Sequence, residues 1–186
     1  DNLEKILNQV RNGVLTLQTK DPKQYQGTSI EVSGGSRNYM DFQARHAGVT
    51  SSGTFGYKLS GEYLSANDFE NELRYAGNVR EQGIGGSVDW KTDVLRAEGA
   101  LVYYGGDNRM ELSLGNSKSN GVGQTNVGRN ALVDWQYRHA QLKWTSPRWN
   151  ANTYFAQSLS GDSYAINRYS SARLTTPATI SDDSVA

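Results

Sequence analysis

The 186-residue chain has no cysteine, three prolines, no excess of either charge and no apolar run of membrane-spanning length. Without cysteine no disulfide framework is available, which suits a protein exposed to the periplasm and many cytosolic proteins alike. A helical membrane span needs about 18 consecutive apolar residues, so that route across a bilayer is excluded. The 19 basic residues are balanced by 19 acidic ones, and a surface that tracks nucleic-acid phosphates needs a positive excess. Long amphipathic helices are also missing; the one helix-like stretch, residues 2–10, is short. No leader peptide is visible at Asp1, so an exported protein would carry its leader upstream.

The usual catalytic signatures are absent too. There is no phosphate-binding loop, and Gly83-Ile84-Gly85-Gly86 and Gly121-Val122-Gly123 lack the spacing of the dinucleotide fingerprint. No Gly-x-Ser-x-Gly elbow occurs. His46 and His139 have no partner at ligand spacing, so no metal site is expected. Asp68, Glu70 and Glu72, and the pair Asp182 and Asp183, lack a nearby histidine and read as solvated loop charges. Neither an enzyme nor a cofactor is expected.

What the chain does contain is alternation, with twenty glycines and eleven tyrosines to serve strands and tight turns. In Phe55-Gly56-Tyr57-Lys58-Leu59-Ser60-Gly61-Glu62-Tyr63 the odd positions are apolar, aromatic or glycine and the even ones polar or glycine. Successive strand residues point to opposite faces, so one face is apolar and the other charged. Phe55 and Tyr63 lie roughly 26 Å apart along such a strand. Tilted by about 40°, that span approaches the ~25 Å apolar band of an outer-membrane barrel, flanked by aromatic girdles. The same alternation recurs around Ile30–Val32, Met40–Ala44, Leu95–Tyr103, Met110–Leu114 and Ala140–Trp144, and more weakly over Ala151–Leu159.

Connections of two lengths separate these strands. Short ones fall at 49–54, 105–108 and 146–150; long ones are expected at 65–93, 118–135 and from Ser160 onward. A brief link at 33–38 carries Gly34-Gly35. Short turns alternating with long loops match the periplasmic and extracellular ends of an outer-membrane barrel.

Several segments resemble one family. The stretch from Asn12 to Pro22, Asn-Gly-Val-Leu-Thr-Leu-Gln-Thr-Lys-Asp-Pro, is similar to the end of the plug domain of TonB-dependent outer-membrane receptors. Glu31–Asn38 resembles their first hairpin, Phe55–Tyr63 their third strand, and Asn67–Glu70 the loop after it. The likeness extends over about residues 1–170 and is most specific in the first 70. Two departures stand out. The Arg-Gly-Pro and Leu-Tyr-Gly signature expected after Asp1–Ile6 is missing, with Leu7–Arg11 following directly. The chain also supplies about seven strands against the 22 of such transporters.

The resemblance implies an all-β chain: part of an antiparallel transmembrane β-barrel, preceded by the tail of an N-terminal plug. Residues 1–22 would end the plug, 23–27 would link, and 28–186 would form the first part of the barrel. It implies import of a scarce, bulky nutrient such as a siderophore, vitamin, glycan or peptide. The implied partners are the TonB complex, through a segment outside this chain, outer-membrane lipid and an accessory lipoprotein. On this reading Glu31, Asp41, Gln43, Arg45, Lys58, Glu62, Arg96, Glu98, Arg109 and Glu111 face the lumen, where they line a hydrated path or brace the plug. Phe69, Tyr75, Trp90, Trp135, Tyr164 and Tyr169 are the aromatics of the expected outer loops and could contact ligand or pack the loops. Two rival readings are a passive or structural barrel without a plug and a soluble carbohydrate-binding β-sandwich. The sandwich would bury Phe55, Tyr57 and Leu59 beneath a second sheet.

Overall fold

The computed structural model describes residues 20–70, 73–75, 79–84, 86–126 and 128–175. Residues 1–19, which hold nearly all of the expected plug tail, lie outside them. The chain forms β1 (Gly27–Gly34), β2 (Met40–Val49), β3 (Phe55–Asn67), β4 (Arg74–Tyr75), β5 (Val79–Arg80), β6 (Lys91–Gly105), β7 (Asn108–Thr125), β8 (Gly128–Thr145), β9 (Asn150–Leu159), β10 (Tyr164–Ala165) and α1 (Ile166–Thr175). One antiparallel sheet runs β1-β2-β3-β6-β7-β8, and β9 and β10 both pair with β8. Among the described residues the sheet does not close on itself: β1 forms one edge, and β9 and β10 share the other. The ribbon β4–β5 stands apart from it.

Each alternating segment singled out in the sequence is a strand of this sheet. Alternation fixes register here, because a slip of one residue would move every apolar side chain to the charged face. The turns follow local chemistry. Between β1 and β2 the left-handed residues are Arg37 and Asn38, with φ of 63° and 55°. Two successive positive φ values suit the twist of a tight hairpin.

Two expected long loops turn out otherwise. Residues 118–135 continue β7 and β8 as a hairpin that pairs as far as Thr125 and Gly128. A register shift between Ser119 and Gly121 interrupts it. Gly121 has φ of 146°, and a Cβ there would lie 2.8 Å from Thr92 Oγ1, so only glycine fits. Beyond Ser160 the chain forms β10 and then α1, a helix absent from the sequence expectations. The helix packs at the long-connection end, where Ile166, Val88 and Ala131 form a small core with Trp90, Val122, Val133 and Tyr164.

Candidate functional site

The sheet has two chemically opposed faces, and the strand register shows how each is built. Cross-strand rows on one face read Phe55–Tyr103–Met110–Trp144, Tyr57–Leu101–Leu112–Leu142 and Leu59–Gly99–Leu114–Ala140–Phe155. Toward the other edge the apolar residues are Ile30 and Val32 on β1 and Met40, Phe42 and Ala44 on β2. These large side chains are exposed: Leu101 keeps 61 % of its surface, Phe155 62 % and Val32 69 %. Contiguous apolar surface of this extent is rare on proteins surrounded by water.

The apolar stripe crosses the register obliquely. On β2 it runs from Met40 to Ala44, opposite Ser65 to Gly61. On β8 it runs from Ala140 to Trp144, which pair through β7 and β6 to Leu59 and Phe55. Its long-connection edge, through Met40, Tyr63, Leu95, Leu114 and Ala140, therefore steps by six residues over the four strand-to-strand steps from β2 to β8, while its short-turn edge keeps to the row Phe55–Tyr103–Met110–Trp144 from β3 to β8. Aromatic side chains near the short-turn border carry polar contacts. Tyr57 Oη lies 2.9 Å from His46 Nε2, and Trp144 Nε1 donates to Asn108 Oδ1 at 3.2 Å.

All ten charged and amide residues singled out in the sequence lie on the opposite face. Glu31, Gln43, Glu62 and Arg96 share one register row, and Arg45 and Glu98 share the next. Lys58, Glu111 and Arg109 follow toward the short turns, and Asp41 lies toward the long connections. The middle of this face borders a cavity of about 600 Å³ lined by Glu31, Arg45, Glu62, Glu98, Tyr137 and His139, among others. Arg96 grips Glu62 with Nη1 at 3.1 Å and 2.9 Å from the two carboxylate oxygens. Gln43 Nε2 donates to Asp41 Oδ2 at 2.9 Å, while Asp41 Oδ1 is buried without a hydrogen-bond partner among the described residues. His139 leans over Gly115, where a Cβ would sit 2.2 Å from its Cε1.

At the short-turn end this face is covered by the segment that leads into β1. Asp21 opens a turn and accepts hydrogen bonds from the Lys23 amide at 2.8 Å and Tyr104 Oη at 2.6 Å. Arg109 Nη2 approaches the other Asp21 oxygen at 3.1 Å and also pairs with Glu111 at 2.8 Å. Lys58 completes the chain, 3.8 Å from Glu111. Pro22 is fully buried, and its Cβ would stand 3.1 Å from any Cβ on Gly56. Arg45 Nη2 donates to the Tyr25 carbonyl at 2.8 Å, and the Lys23 ammonium lies 4.7 Å from the centre of the Tyr104 ring. Burial alone would raise the Asp21 pKa. The Tyr104 hydroxyl, the Lys23 amide and the Arg109 guanidinium outweigh burial and hold it below its ordinary value.

The expected loop aromatics do not form a single surface. Phe69 is exposed beneath the Arg37 guanidinium, 3.5 Å from its ring centre. Trp90 and Tyr164 pack in the small core, and Tyr169 is buried with its ring centre 5.3 Å from that of Tyr164. Trp135 is a half-buried residue of β8, opposite Ser119. Tyr75 belongs to the β4–β5 ribbon, and its side chain lies outside the described set. Sequence reasoning missed Asp21, Pro22 and Tyr104 as a unit. The Asp-Pro pair marked a turn, but the wall that receives it is made by residues more than 80 positions away.

Among the described residues no group of three or more His, Cys, Asp or Glu is placed to hold a metal ion. A scan against protein-family models, a search of curated proteins and a search of solved structures each returned no match. The functional reading therefore rests on the two faces and the anchored segment.

Proposed function

We propose that this chain is the plug tail and the first barrel strands of a TonB-dependent outer-membrane receptor, which imports a bulky nutrient by binding it and gating its passage. The observation that carries the reading is the oblique, exposed apolar stripe. Along its long-connection edge, six residues of register over four steps is roughly 1.5 residues per strand, and at about 3.3 Å rise and 4.8 Å spacing this corresponds to a tilt of about 45°. Strands of membrane barrels tilt by roughly 35–45°, so a belt level with the membrane must cross their register in this oblique way. Aromatic residues with polar partners at the stripe's lower border suit a membrane–water boundary.

The anchored segment favours a plugged receptor over an empty pore. The chain enters β1 from the charged face, held by Asp21, Pro22 and Tyr25, which is the side a plug would occupy. The ten charged and amide residues would then face the lumen, bracing that plug or lining the path beside it. The open edges at β1 and β9 require further strands in hydrocarbon, where unpaired backbone groups are not tolerated.

Cysteine substitution tests the wall directly, since the chain has no cysteine of its own. In outer-membrane vesicles, a bimane label at Leu101→Cys should be quenched by brominated lipid, while Ser117→Cys should react with a membrane-impermeant thiol reagent once the membrane is opened. A protein that purifies without detergent and shields Leu101→Cys from both probes would point instead to the soluble sandwich.

A further inference from the structure

Directly beyond the end of the apolar stripe on β7 and β8, the same face turns strongly polar. Asn116, Arg138 and Gln157 form one register row next to Leu114, Ala140 and Phe155. Lys118 and Gln136 are opposite each other in the next row of that face. Arg138, Asn116 and Gln157 are exposed, and the Lys118 side chain keeps 41 % of its surface. Arg138 Nη2 donates to the Gln136 carboxamide at 2.8 Å and meets no carboxylate among the described residues. Lys118 pairs with Asp134 at 2.6 Å. The patch thus holds two cations, three carboxamides and one carboxylate, a net charge of +1.

We propose that this patch binds the phosphate of an anionic membrane lipid whose acyl chains lie along the neighbouring stripe; the inference rests on the membrane reading above. A guanidinium on the lipid-facing side of a barrel costs about 2–4 kcal/mol at the bilayer midplane and little at its edge. Its position at the end of the stripe therefore sets it at headgroup depth. There a planar fork of N–H donors suits a phosphate, and the carboxamides can donate to its remaining oxygens. Leu114, Ala140 and Phe155 offer the chains of the same lipid a continuous apolar track. Charge and hydrophobicity point to one occupant because they meet along a single line.

The test uses the full natural protein in detergent, with native mass spectrometry as the readout. The wild type should retain phosphatidylglycerol in preference to a neutral galactolipid with the same chains. Lys118→Gln with Arg138→Gln should lower that retention roughly thirtyfold, as expected for losing two surface cations. The charge-preserving Lys118→Arg should keep it, which separates a lost site from a damaged sheet. Equal retention in the double variant, equal retention of the neutral lipid, or displacement by millimolar inorganic phosphate would each overturn the lipid site. A bimane label at Leu112→Cys, read for quenching by brominated lipid, separates the two readings. Quenching with unaltered lipid retention ends the site and leaves the barrel standing. No quenching ends both.

Discussion

The two ends of the sheet hold their attached segments by opposite means. At the short-turn end, residues 20–25 are fixed mainly by charge and hydrogen bonds, through Asp21, Tyr104, Arg109, Glu111 and Lys58. At the long-connection end, residues 81–84, 86–90 and α1 are fixed by an apolar core around Ile166, together with the buried ion pair of Arg129 with Glu81. Arg129 also lies 4.9 Å over the Trp90 ring, and Ser170 accepts from the Gln82 amide at 2.9 Å. The difference is instructive because the two kinds of anchor respond to different insults. A polar anchor can be released by pH or by losing one partner, whereas an apolar one yields only when its packing is broken.

The largest effect should come from removing the guanidinium opposite a carboxylate that has no exposed side-chain surface. Arg129→Ala should destabilise the long-connection end by about 3–5 kcal/mol, since it removes one partner of a buried ion pair. Hydrogen exchange should then rise over 81–90 and 166–175 while β3 and β6 stay protected. Ile166→Ala, at a fully buried position, should cost about 2–4 kcal/mol in the same region. If either change loosened residues 20–25 equally, the two ends would be one cooperative unit and the contrast would fail.

At the other end, Asp21→Ala should cost about 1–3 kcal/mol, the range for charge-assisted hydrogen bonds left without a partner. It should expose the Lys20–Lys23 bonds to trypsin. The pH dependence has a definite sign. Asp21 binds its proton less readily when folded than when unfolded. Its contribution is therefore fully present above the ordinary carboxylate pKa of about 3.9 and lost as pH falls through the lowered folded value. Acid should release residues 20–25, read by trypsin cleavage after return to neutral pH in a rapid-mixing experiment. An Asp21→Asn variant should lose that acid dependence.

Gly56→Ala should give the smallest effect, about 1 kcal/mol or less. Its Cβ would meet Pro22 Cβ at 3.1 Å and the Tyr104 ring at 3.2 Å, contacts that ask for shifts of a few tenths of an ångström. Increased cleavage after Lys23 without a change in the protection of α1 would show packing and charge acting on the same anchor. An unchanged cleavage rate would show that the fit of Pro22 against Gly56 adds nothing to the anchor.

The strands were legible because their alternation is strong: Phe55–Tyr63 and Met110–Leu114 read the same way in sequence and in register. The ten charged and amide residues were likewise assignable to one face, since parity along each strand decides the side and register merely aligns the parities. The distal hairpin was not legible. Lys118-Ser119-Asn120-Gly121-Val122-Gly123 has one apolar residue, Val122, and no alternation, so its strand character comes from pairing with β8, and Gly121 accommodates the irregularity. Helix α1 was hidden for a related reason. Its sequence has few apolar positions, and Ser170 fills a fully buried site by bonding to Ile166 and Gln82. That interior position could not be inferred from helical periodicity.

The sequence by itself determined the alternating strand segments, their two-faced character and the short turns, because each depends on neighbours one to four residues away. Only the tertiary structure decided the oblique course of the apolar stripe, which needs the register of β2 through β8 together. It alone brought Asp21 to Tyr104 and Arg109, and Glu81 to Arg129, since those pairs join parts of the chain separated by 48 to 88 positions. Local preference fixes which way a side chain points; long-range pairing fixes what it meets.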